Sequence, residues 1–218
     1  MPFKVILVGA SGLIGKHLLS NLISSDDISE ITLLVRKKMG ISNPKVIEIV
    51  INFDEINKHA SKITGDIIYC CIGTTKSKTP DASDYRKIDL EYPLNLARIG
   101  AENGVSQFHV ISSLGASSES KNAYLKLKGE LEEELKKLNI PSLHIYQPSF
   151  LEGKRKENRP LEKIMLPIMK LINPLLWGPF ENYRSIKSSD VAKAMINQSI
   201  KELKGVFTYP SKQIKELA

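Results

Sequence analysis

Gly9, Gly12 and Gly15 stand in a G-x-x-G-x-x-G spacing that closes one apolar run, Phe3 to Val8, and opens a helical one, His17 to Ile23. No other feature of the chain constrains its fold as much. Glycine permits a tight turn and a close approach of backbone to a diphosphate, and the helix N-terminus behind it offers unpaired N–H groups to the anion. An ordinary turn would also accept the glycines. Their place after the first strand and at the start of the first helix favours a phosphate cradle comprising Gly9, Ser11, Gly12, Leu13, Ile14 and Gly15.

The same rhythm of apolar run, turn and helical pattern then repeats. Phe3 to Val8, Ile31 to Val35, Val46 to Val50, Ile67 to Ile72, Phe108 to Ile111 and Ser142 to Tyr146 are short and rich in Val and Ile, as strands buried on both faces are. Helical spacing marks Leu13 to Ile23, a short piece near Asp54 to Ile63, Ser83 to Asn103 and Ala123 to Leu138. Strands that alternate with helices predict a Rossmann-type α/β fold, a doubly wound parallel sheet, since a parallel crossover needs about a dozen residues. At 218 residues one domain is expected, with a Pro-rich, substrate-facing region from about 148 to 218 where the alternation fades.

Charge has to be weighed before coenzyme chemistry, because a net +7 invites a nucleic-acid reading. The densest basic groups, Arg36-Lys37-Lys38 and Lys154-Arg155-Lys156, are short and lack interleaved aromatics, so no nucleic acid is expected. Cys70 and Cys71 are adjacent on a strand pattern and point to opposite faces, which excludes a mutual disulfide and predicts reduced thiols. Met1-Pro2-Phe3-Lys4 leads straight into a strand without a signal-peptide pattern, and the expectation is a cytoplasmic protein. The stretch Ile164 to Phe180 is interrupted by Pro167, Lys170, Asn173, Pro174 and Pro179, too often for a spanning helix.

Coenzyme choice is read at the end of the second strand. Arg36 lies 21 positions beyond Gly15, near the offset of about 20 where an acidic residue would bond the ribose hydroxyls of NAD. A guanidinium there can pair a 2′-phosphate, whereas a carboxylate would repel it, so Arg36 and Lys37 predict NADP(H). Asn52-Phe53 after the third strand could border the adenine, and Cys71-Ile72-Gly73-Thr74 after the fourth the middle of the coenzyme.

The reacting groups are sought after the fifth strand, at Ser112-Ser113, and at Tyr124 and Lys128 on the next helix. Residues four apart on a helix share one face, and an ammonium stabilises a nearby phenolate, bringing a tyrosine toward a proton donor or acceptor useful near neutral pH. Ser113 would hold a substrate oxygen while a nicotinamide exchanges hydride. A Tyr-x-x-x-Lys pair also arises by chance in lysine-rich helices; its setting behind a dinucleotide turn is what favours catalysis.

With these residues in view the chain resembles the atypical or extended branch of the short-chain dehydrogenase/reductase superfamily, and within it the Tat-interacting-protein family and its fungal mitochondrial relatives. The resembling blocks are Gly9-Ala10-Ser11-Gly12, Cys70-Cys71-Ile72-Gly73-Thr74-Thr75, Ser112-Ser113-Leu114-Gly115-Ala116 and Tyr124-Leu125-Lys126-Leu127-Lys128-Gly129-Glu130. The resemblance implies NADPH binding, Tyr124 as proton donor or acceptor and Lys128 on the nicotinamide ribose. Asn52, where the family tends to carry an aspartate, and Gln147-Pro148-Ser149, in place of Arg-Pro-Gly, depart from its pattern.

Farther along, Ser189 or Asp190 is expected to cap a helix that packs on the core. The apolar stretch Leu161 to Trp177 is expected to cover a small-molecule pocket; peripheral membrane contact through Lys163 and Lys170 is the alternative. His17, His59, His109 and His144 lack ligand spacing and no Cys-x-x-Cys occurs, so no metal is expected. The leading functional expectation is an NADP(H)-dependent oxidoreductase acting on a carbonyl or alcohol, as monomer or homodimer. Its rivals are a coenzyme-binding regulatory or assembly protein and, with less support from a substrate region of this size, a sugar-nucleotide epimerase.

Overall fold

The computed structural model describes residues 2–74, 79–153, 173 and 176–218. Its strands are β1 (Phe3–Val8), β2 (Ile28–Val35), β3 (Val46–Val50), β4 (Ile67–Cys70), β5 (Gln107–Ile111), β6 (Ser142–Gln147), β7 (Leu151–Glu152), β8 (Ile186–Lys187) and β9 (Gly205–Pro210). Seven of these form one parallel sheet in the order β3-β2-β1-β4-β5-β6-β9, and β7 with β8 forms a small parallel pair. The helices are α1 (Leu13–Ser24), α2 (Ala82–Arg86), α3 (Tyr92–Glu102), α4 (Ala123–Lys136), α5 (Ser188–Ser199) and α6 (Ser211–Glu216).

Strand residues alternate between two cores, which is why both faces of each strand read as apolar. Val5 and Leu7 pack with α1, α5 and α6 on one side of the sheet, while Ile6 and Val8 pack with α3 and α4 on the other. Cys70 and Cys71 divide between the same two faces and both are free thiols. The order of the sheet turns back between β1 and β4, so the crevice where doubly wound sheets bind ligands opens at the C-terminal ends of these two strands.

Several boundaries differ from the sequence pattern. The segment near Asp54 is a 3-10 helix, Phe53–Lys62, kinked at Glu55. The long helical run over 83–103 contains a π-helical turn, Lys87–Glu91, between α2 and α3. Helix α5 begins at Ser188 rather than at Ser189 or Asp190, and Lys187 stands at its N-cap without a side-chain cap. It does pack on the core: Val191, Ala192, Ala194 and Met195 are buried. Strand β9, unmarked by the apolar pattern, joins the sheet along β6 as its edge. Of the stretch Leu161 to Trp177 expected over a pocket, all but Asn173, Leu176 and Trp177 lies outside the described residues, as do Thr75, Lys154-Arg155-Lys156, Lys163 and Lys170. No described helix is long and apolar enough to cross a membrane.

Candidate active site

The glycine turn is built by close contact. Gly9 has φ +84, and a Cβ there would stand 2.5 Å from the Cys71 carbonyl oxygen; one on Gly15 would stand 2.1 Å from that of Gly9. Both glycines therefore fix the packing of the turn against β4 and against itself. Gly12 differs: it is exposed, its N–H donates to the Gly9 carbonyl at 2.9 Å, and a Cβ would meet that oxygen at 3.1 Å and the Cys71 carbonyl oxygen at 4.0 Å. It occupies the N-cap of α1 with no side chain capping the helix and no acidic residue in the first turn. A helix start left without an internal anion suits a diphosphate. Ser11 is exposed beside it, Leu13 is half-buried, and the Ile14 side chain goes into the core, leaving only its backbone for a ligand.

A cavity of about 530 Å³ lies at the end of β2 and β3. Arg36, Asn52 and Phe53 line it together, and Asp54, Asp84 and Tyr92 are also among its lining residues. Phe53 and Tyr92 pack ring to ring at 5.5 Å, and the Tyr92 hydroxyl donates to Asp54 at 2.8 Å. Lys37 is exposed and does not line this cavity. Cys71 and Ile72 are half-buried, Gly73 is exposed, and burial pushes the Cys71 thiol up out of its ordinary range.

Helix α4 starts with the Asn122 side chain accepting the Tyr124 and Leu125 N–H groups at 3.0 and 3.2 Å, a cap that fixes the turn carrying Tyr124. Tyr124 is 36% exposed, whereas Lys128, one turn on, is buried with its Nζ 2.9 Å from Asp89 Oδ1. The contact is a buried ion pair between the ammonium and one carboxylate oxygen. Thr74 N–H donates to the other carboxylate oxygen at 2.9 Å, and Lys128 also reaches the Ile111 carbonyl at 3.4 Å. Burial acts against the Lys128 ammonium, but Asp89 and Tyr124 outweigh it and hold its pKa above the ordinary value. Nearby Tyr85 is pushed up to about 12, first by burial and then by the charges of Asp89 and Tyr124.

The two serines after β5 have different surroundings. Ser112 is buried and donates to the Glu132 carboxylate, which Gln147 Nε2 also engages at 2.9 and 3.0 Å. The departure at Gln147 thus supplies an amide donor to a buried carboxylate. Ser113 is half-buried, with only a 3.4 Å contact to the Leu114 carbonyl. Among the described residues no hydrogen bond joins it to Tyr124 or Lys128. The loop is seated by Gly129, where a Cβ would fall 2.2 Å from the backbone of Ser117 and Ser118.

Asp89 was invisible to motif reading. Its trace is an acidic residue on the apolar face of a helical run, and a charge buried there has to be paired. The π turn brings it inward, and single π turns of this kind often mark functional sites.

Cradle, crevice and adenosine-sized cavity define a nucleotide-binding Rossmann protein. A profile of NAD(P)H-binding proteins matches residues 9–162, and the chain belongs to that family. It is 33% identical over 163 residues to the protein HTATIP2 of Rattus norvegicus, covering 73% of this chain and 67% of that one. To the mitochondrial protein fmp52 of Aspergillus niger it is 28% identical over 209 residues, covering 93% and 89%. Among solved structures, UDP-N-acetylglucosamine 4-epimerase from Methanobrevibacter ruminantium M1, in complex with UDP-N-acetylmuramic acid, is similar with TM-score 0.73 and 17% identity, over 96% of this chain and 76% of that one. That likeness is one of fold. The chain is thus an atypical short-chain dehydrogenase/reductase beside the HTATIP2 and fmp52 proteins. The expected cytoplasmic location does not stand, because the fungal relatives are named as mitochondrial proteins.

Proposed function

We propose that the chain is an NADP(H)-dependent oxidoreductase that interconverts a carbonyl and an alcohol on a small-molecule substrate. Gly9 to Gly15 would hold the diphosphate at the start of α1, and Arg36 the 2′-phosphate and Asn52 with Phe53 the adenine side in the cavity those three residues line. The coenzyme, when bound, supplies or accepts hydride. Tyr124 exchanges the proton with the substrate oxygen, Ser113 orients that oxygen, and Lys128 lends Tyr124 its positive charge. The observation that carries the reading is the buried Asp89–Lys128 pair one helical turn from the exposed Tyr124. It keeps the lysine charged where burial alone would discharge it.

Titration with NADPH and NADH, followed by turnover on a panel of aldehydes, ketones and quinones, tests this on the wild type and Tyr124→Phe. The expected result is saturable NADPH binding by both proteins and at least a hundredfold lower turnover by the variant, the scale of a lost general acid. Equal turnover removes Tyr124 from the chemistry. Tight binding with no turnover on any member of the panel points instead to a coenzyme-binding regulatory or assembly protein.

A further inference from the structure

Arg36 opens a loop, residues 36–45, that joins β2 to β3 at the edge of the sheet; Met39 and Ile41 pack on the core, and the backbone amides of its middle are held by one side chain. Glu48, in β3 and registered against Leu33 of β2, accepts the Met39 N–H at 2.6 Å on one carboxylate oxygen and the Ile41 N–H at 2.7 Å on the other. The Gly40 N–H acts on the same carboxylate. Gly40 has φ +71 with open space around its Cα, the left-handed residue that lets successive amides turn toward one anion. Loop 39–41 is therefore an anion nest filled by the chain's own carboxylate. Other hydrogen bonds of the loop lie beyond it, at Asn43, Lys45 and Val46.

Charge makes this anchor consequential. Arg36, Lys37 and Lys38 are all exposed, and Arg36 lines the adenosine cavity. The carboxylate that steadies them is occupied by the nest and by the neighbouring Lys38, so it braces the loop without neutralising Arg36. Its pKa is lowered by the Met39 and Ile41 amides, then by Gly40 and Lys38, in keeping with a carboxylate that stays charged in the nest.

Resting on the NADP(H) reading above, we infer that Glu48 is a positioning residue for coenzyme specificity, holding the loop so that Arg36 meets the ribose 2′-phosphate. The test is fluorescence titration of NADPH and NADH with the wild type, Glu48→Ala, Glu48→Gln and Arg36→Ala, each checked for an unchanged thermal midpoint. Glu48→Ala is expected to weaken NADPH about tenfold, the scale of one charge-assisted contact, and NADH less than twofold. Glu48→Gln, which keeps one acceptor oxygen for the nest, should fall between the wild type and Glu48→Ala. If Glu48→Ala weakens both coenzymes equally, or neither, while Arg36→Ala still selects against NADPH, the role of Glu48 is overturned and the coenzyme reading stands. If Arg36→Ala leaves the NADPH to NADH ratio unaltered, the coenzyme reading itself falls, and this inference with it. Should Glu48→Ala fail to fold, Glu48→Gln carries the same comparison.

Discussion

At the scale of single residues the site is organised around one buried charge. In the proposed chemistry Lys128 serves Tyr124 only while protonated, and a lysine taken out of water loses its proton unless an anion accompanies it. Asp89 provides that anion at 2.9 Å and is itself held by the Thr74 amide. Asp89→Ala strands the ammonium, and removing one partner of a buried pair costs about 3–5 kcal/mol. In a chain of this length that lowers the melting temperature by roughly 10 °C. Asp89→Asn, which keeps an acceptor for Thr74, should lose less. Calorimetry of the two variants decides it; a loss below about 1 kcal/mol for the alanine variant would show that the pair is not what keeps Lys128 in place.

Elements differ in how well their residues announce them. The apolar runs over β1, β2 and β4 to β6 mark strands because each is buried on both faces, and the glycine spacing marks the turn because Gly9 and Gly15 leave no room for a Cβ. Edge strand β9 escapes the pattern: Val206 is exposed and the strand is bounded by Gly205 and Pro210, so little in it reads as core. That Arg36, Asn52 and Phe53 line one cavity was legible because each follows the end of a parallel strand on the same edge of the sheet. The other lining residues were not, since Asp54 comes from a kinked 3-10 helix and Asp84 and Tyr92 from helices on either side of the π turn at Lys87–Glu91, which sets their relative phase. Asp89 and Glu48 act through contacts that tertiary packing creates, and spacing alone cannot report those. Of the two serines the sequence reading takes Ser113, and the buried Ser112–Glu132 contact engages the other hydroxyl.

On the scale of the whole molecule, the far face of the sheet carries a second polar system. Two histidines distant in sequence meet there: His109 of β5 and His144 of β6 are register partners, with rings stacked at 4.2 Å and both fully buried. His109 bonds Tyr146 and Gln107 at 3.1 Å each, and His144 bonds Ser142 at 2.8 Å and Tyr209 at 2.9 Å. Burial lowers the pKa of His144 to about 4 and that of His109 well below its ordinary value, the latter with a further push from His144. The unfolded chain takes up these protons near pH 6.5, so the folded state has their full contribution above that pH and loses it as pH falls toward 4. Each histidine adds up to about 1.4 kcal/mol of lost stability per pH unit in that window. Urea unfolding from pH 7.5 to 4.5 should show this decline, and His144→Gln should make it shallower; an unchanged slope would contradict the assignment.

On the proposed reading a dinucleotide runs from the crevice between β1 and β4 to the cavity at the ends of β2 and β3. A crystal structure of the protein grown with saturating NADPH tests that directly. The diphosphate is expected against the glycine turn and the first amides of α1 from Leu13 on, with the 2′-phosphate beside Arg36; coenzyme bound elsewhere, or a glycine turn left empty at saturation, would contradict it.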